Sequence, residues 1–115
     1  MAETSFVTPF PFKPTGGRSL DLTSTTSAAI LLPGYGPHVI VSNTDATGAV
    51  WALVEFGDAD TAVATTHSHA VKPGESVLFT IPPVSAANPG AVCAYFAAKT
   101  DTGVTTIKVS QGFGV

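Results

Sequence analysis

The chain has 115 residues, enough for one compact domain and too few for two that each bury a core. Only 11% of its residues are charged against 44% hydrophobic, and five Lys and Arg in all leave a net charge of −3. That excludes a phosphate-neutralising track, argues against nucleic acid as a partner, and disfavours long solvated helices. Every apolar stretch is cut by Pro, Gly, Ser or Thr short of the roughly 18 residues of a membrane helix, so the expectation is a soluble protein with no membrane partner.

Residues 1–27 are expected to form an extended N-terminal arm. Phe6-Val7-Thr8-Pro9-Phe10-Pro11-Phe12-Lys13-Pro14 sets three Phe among three Pro, and each Pro biases its predecessor toward extended geometry. Residues 1–14 lack a basic region followed by an apolar run, so they do not read as a secretory signal and the chain is expected to be made in the cytoplasm. Gly16-Gly17-Arg18-Ser19 reads as a flexible joint, and residues 20–27 are mostly polar. An exposed Phe forgoes about 1.5–3 kcal/mol of burial, so the arm should dock, either across its own sheet or onto a neighbouring subunit.

Residues 28–115 read as an all-β body, a single β-sandwich or jelly-roll-like small barrel. Apolar or alternating runs at 28–32, 38–42, 49–56, 61–65, 76–81, 92–98 and 105–110 predict seven strands. Between them lie turn clusters such as Pro33-Gly34-Tyr35-Gly36-Pro37, Asn43-Thr44-Asp45, Lys72-Pro73-Gly74-Glu75 and Asn88-Pro89-Gly90. Period-two alternation places Val50, Ala52, Val54 and Phe56 on one face, with Val77, Phe79 and Ile81, and Val92, Ala94 and Phe96, alternating likewise. The opposite faces, carrying Trp51, Leu53, Leu78 and Tyr95, are too apolar for plain solvent. They suit a subunit interface, the docked arm, or cover by the protein's own sheets.

Chemistry is sparse. The single Cys93 excludes an internal disulfide and a Cys-based zinc site, and its place in a strand pattern fits a buried, inert thiol. His67 and His69 are spaced to share one side of a strand and could chelate a metal with Asp58 or Asp60; solvated imidazoles on an exposed connection are the alternative. Glu55, Asp58 and Asp60 form a sparse acidic loop without the EF-hand spacing, so a simple turn competes with a calcium site. There is no Gly-x-Ser-x-Gly elbow, Gly34-Tyr35-Gly36 has no following helix to cradle phosphate, and no carboxylate pair stands out. The reading is a non-enzymatic protein with no cofactor and no metal.

The stretch Val50-Trp51-Ala52-Leu53-Val54-Glu55-Phe56-Gly57-Asp58, then Thr65-Thr66, Val71-Lys72-Pro73-Gly74-Glu75 and Phe79-Thr80-Ile81-Pro82, resembles a group of small tailed-bacteriophage virion proteins. Members share an aromatic-rich strand ending in Phe-Gly-Asp, a Pro-Gly turn before the next strand, and a Gly-containing tail like Gln111-Gly112-Phe113-Gly114-Val115. The likeness spans residues 38–115. It implies a head decoration or cement protein on the outside of the capsid in the virion, with the major capsid protein as partner and a homotrimer as self-assembly. Phe6, Phe10 and Phe12 are the expected arm anchors in partner binding, and Trp51 and Tyr95 the further interface candidates. A tail, fibre or adaptor component fits the same composition. So does a carbohydrate-binding β-sandwich in which Trp51, Tyr35 or Tyr95 stacks on a sugar ring.

Overall fold

The structure, a computed structural model, describes residues 12–85 and 87–114. The protein is all-β. Among the described residues there is no helix, and ten strands follow in order: β1 (Lys13–Leu22), β2 (Ala28–Leu31), β3 (His38–Asn43), β4 (Ala52–Gly57), β5 (His69–Val71), β6 (Ser76–Thr80), β7 (Pro83–Ser85), β8 (Asn88–Val92), β9 (Tyr95–Thr100) and β10 (Thr105–Phe113). They form two four-stranded antiparallel sheets, ordered β1-β10-β3-β6 and β2-β9-β4-β5, while β7 and β8 pair with each other. Consecutive strands mostly alternate between the two sheets, so nearly every turn carries the chain from one layer to the other.

The alternation read from the sequence explains where the core sits, except at 92–94, where the chain passes from β8 to β9, Val92 and Ala94 are exposed and Cys93 is buried instead. Leu20, Leu22, Val39, Val41, Ile107 and Val109 from the first sheet join Ile30, Ala52, Val54, Val71, Phe96 and Ala98 from the second in one buried cluster. Phe56 meets Phe96 edge to face at 5.5 Å within the second sheet and Phe79 of β6 at 5.7 Å across the layers. Val77 and Phe79 are partly buried against the same cluster, as their spacing predicts.

Four expectations are corrected. Residues 13–22, read as arm and joint, are instead the edge strand β1, with Lys13 opposite Phe113 and Leu22 opposite Thr105. Leu20 and Leu22 face the core, an irregularity between Pro14 and Gly16 leaves Thr15 out of the register while Gly16 and Gly17 pair with Gln111 and Ser110, and Pro14 is tolerated because an edge strand does not need every N–H. The part of the expected arm at residues 1–11 lies outside the described residues. Second, residues 61–65 are not a strand, and β5 forms at 69–71, outside the seven expected strands, because Val71 drops into the core opposite Ala52 while His69 and Ala70 stay exposed. Third, Asn88-Pro89-Gly90, read as a turn, belongs to β8 of the separate β7–β8 pair. Fourth, the turn reading of Asn43-Thr44-Asp45 misses that Asn43 ends β3 and is buried.

The second apolar face is covered in part by the chain itself. Leu53 and Ala97 occupy positions alternate to the core residues of β4 and β9, yet both are buried. Ala64, from the connection between β4 and β5, is the remaining buried apolar residue outside the main cluster among those described, and its amide donates to Ser27 Oγ. Ser68 Oγ ties the same connection down by donating to Glu55 at 2.6 Å.

Asp45 organises the loop between β3 and β4. Its carboxylate accepts the amides of Thr47, Ala49 and Val50 and the Thr47 hydroxyl. The Val50 amide first, and the Thr47 hydroxyl next, hold its pKa down at about 2, against an ordinary 3.8. A carboxylate with a lowered folded pKa adds stability that is complete above its unfolded value and is lost as pH falls through the folded one. The melting temperature should therefore fall between about pH 4 and pH 2, and Asp45→Asn should flatten that slope in a pH series of thermal melts. An unchanged slope would remove Asp45 from the acid response.

Candidate functional site

One end of the body is built around the loop between β2 and β3, Pro33-Gly34-Tyr35-Gly36-Pro37. Buried Gln111, on β10, reaches under it: its Nε2 donates to the Gly36 carbonyl at 3.0 Å, and its Oε1 accepts the Gly34 amide at 3.0 Å. From β1, the Thr15 hydroxyl donates to the Tyr35 carbonyl at 2.6 Å and accepts the Tyr35 amide at 2.9 Å. The Pro37 carbonyl accepts the Ile81 amide, and the Ala94 carbonyl accepts that of Leu32. Gly36 adopts φ 109°, and a Cβ at this position would fall against the Gly112 carbonyl, so a side chain there meets both backbone strain and a clash. The loop is thus clamped to β1 and β10 by side chains.

That clamp presents apolar side chains outward. Tyr35 is 66% exposed and meets Phe113, itself 46% exposed, edge to face at 5.7 Å. Leu31 and Val92 are each more than half exposed close by. Together with Ile81 and Cys93, Leu31, Tyr35 and Val92 line an open cleft of about 490 Å³. Cys93 Sγ points to the Pro83 carbonyl at 3.8 Å, and burial, then the charge of Asp58, push its thiol pKa up. Such a surface is suited to binding an apolar partner: its rigid aromatic groups gain by desolvation, and they lose little entropy because the loop is already fixed.

The expected site residues fall in different places. Phe6 and Phe10 lie outside the described residues. Phe12 is half-buried just before β1, packed close to Gly114, and so enters the molecule beside Phe113 and the cleft. Tyr95 is half-buried opposite Leu31, near the same end. Trp51 lies at the other end of β4, half-buried, with its backbone exchanging bonds with Asp101. The structure therefore brings Phe12 and Tyr95 toward the cleft and leaves Trp51 apart.

His69 is exposed on β5 with its ring edge-on to Phe79 at 5.1 Å, and the amide of His67 donates to Thr65 in the preceding turn. Asp58 and Asp60 are exposed, Asp60 within the turn closed by the Ala62 amide on the Ala59 carbonyl and Asp58 just before it. Among the described residues, no group of three or more His, Cys, Asp or Glu is arranged to hold a metal ion. Gln111, Thr15 and Phe113 escaped the sequence reading. The signal for Gln111 was present: it continues the inward alternation of Ile107 and Val109, and a polar side chain at an inward position needs partners.

Comparison with known proteins finds no matching family model, no matching curated protein and no matching solved structure.

Proposed function

We propose that this chain is a structural protein of a tailed-bacteriophage virion, a decoration or cement protein bound to the outside of the head, with the major capsid protein and further copies of itself as partners. The observation that carries the reading is the apolar end: Tyr35, on the loop clamped by Gln111 and Thr15, exposed together with Phe113, Leu31 and Val92, on a body whose charge is too low for a fully solvated surface. The resemblance over residues 38–115 supports it. So does the strand order, since β1-β10-β3-β6 and β2-β9-β4-β5, with β7–β8 apart, are compatible with the two-Greek-key order of a jelly roll, a fold frequent in viral capsid domains. Fold alone does not assign function, so the apolar surface is the part to test.

A cement protein acts by bridging. An interface of about 1,600 Å² makes a stable specific contact, and repetition over a lattice multiplies it. The expected result is saturable binding of the protein to undecorated heads of its phage, weakened at least about tenfold by Tyr35→Asp, measured by co-sedimentation. Binding unaffected by Tyr35→Asp would remove this end from the contact, and no binding to heads at all would overturn the decoration role. An exposed tyrosine on a rigid loop is also how a protein stacks on sugar rings. Saturable binding on a glycan array, lost in Tyr35→Ala, would replace the virion reading with that one.

A further inference from the structure

We infer that the apolar cleft beside Tyr35 is the seat of the Phe- and Pro-rich residues 6–11 of the same chain, with Phe10 and Phe6 as the inserted rings. The inference does not rest on the virion reading; with the cleft filled, Tyr35 and Phe113 at its rim are the part of that end left to meet the capsid.

Three observations carry it. The first is where the chain enters. Phe12 packs beside Gly114, Lys13 stands opposite Phe113, and the Phe113 ring rests on Tyr35, which lines the cleft. At no more than about 3.3–3.6 Å per residue, Phe10 lies within roughly 7 Å of Phe12 and Phe6 within roughly 22 Å, so both can reach the cleft without spanning the molecule. A tether this short gives an effective concentration in the millimolar range, which favours the chain's own segment over a second copy in dilute solution.

The second is chemical match. The cleft walls offer Leu31, Ile81 and Val92, and several polar groups around it are already used: the carbonyls of Gly36, Pro37 and Ala94 each accept a bond, and both ends of the Gln111 amide are engaged. An occupant should therefore be rich in apolar rings and poor in backbone donors. Pro9-Phe10-Pro11 meets both conditions, because proline carries no N–H. The third is preorganisation. The wall formed by the loop is held by Gln111 and Thr15 whether or not anything is bound, so docking orders only the incoming segment.

Cys93, the single cysteine of the chain, lines the cleft and reports on its occupancy. Alkylation of the full-length protein by iodoacetamide should be slow, and Phe6→Ser combined with Phe10→Ser should speed it at least about tenfold, equally at every protein concentration. The near-ultraviolet circular dichroism of Trp51 checks that the body stays folded. An unchanged rate overturns the inference, and protection that vanishes on dilution also overturns it, because the occupant is then a second copy. Leu31→Asp provides an independent reading from the cleft side: it should accelerate chymotryptic cleavage between Phe6 and Val7 by a similar factor, and an unaltered cleavage rate counts against the cis docking.

Discussion

Replacing Phe96 with alanine is expected to cost about 3–5 kcal/mol, read as a fall in the urea midpoint at unchanged slope. Phe96 is fully buried at the centre of the second sheet, opposite Ile30 on one side and Phe56 on the other. Its removal takes away the ring that Phe56 meets edge to face, and Phe56 is the side chain that reaches across to Phe79 in the first sheet. The cavity therefore opens between both layers, and neither sheet can close it alone, because each strand position is held by pairing on both sides. Against a total of about 5–15 kcal/mol for an ordinary domain, this substitution removes a large share of the stability. A loss under about 1 kcal/mol would show that the two sheets do not share a core around this residue.

Asn43→Ala should destabilise by about 2–4 kcal/mol, through unpaired polar groups more than through lost volume. The Asn43 amide donates to the carbonyls of Val50 at 2.9 Å and Val71 at 3.1 Å, and its oxygen accepts the Thr105 hydroxyl at 3.0 Å and the Asp45 amide at 3.1 Å. One side chain thus joins the end of β3, the loop that follows it, β5 and the start of β10. Truncation strands the buried Val71 carbonyl and the Thr105 hydroxyl where water does not readily replace the lost partner. Ser42→Ala is the internal comparison. Its hydroxyl pairs with that of Ser76 at 2.7 Å but in an exposed position, so its loss should cost under about 0.5 kcal/mol. Equal losses in the two variants, measured by chemical denaturation, would show that burial does not set the difference.

Both results depend on a distinction that runs through the protein. The all-β class, the inward faces of β4 and β6, and most of the turns were legible because period-two alternation and Pro-Gly punctuation act over a few residues, and such local preferences survive folding. Gly16-Gly17-Arg18-Ser19 pointed equally locally to a joint, but pairing with β10 overrode it: Leu20 and Leu22 gain more by joining the core than the chain loses by straightening Gly16 and Gly17.

The candidate site was visible only in fragments. Tyr35 stood out as an aromatic residue in a Gly- and Pro-rich turn, yet nothing in the order of residues joins it to Gln111 or Phe113 more than seventy positions away. Composition and alternation settled that this chain makes β-structure with a lightly charged surface, since those properties follow from each residue's neighbours along the chain. Which strands pair, which polar side chains are spent on clamping a loop, and which apolar ones remain outside depend on contacts between distant segments, and only the packing of two sheets against each other brings those segments together.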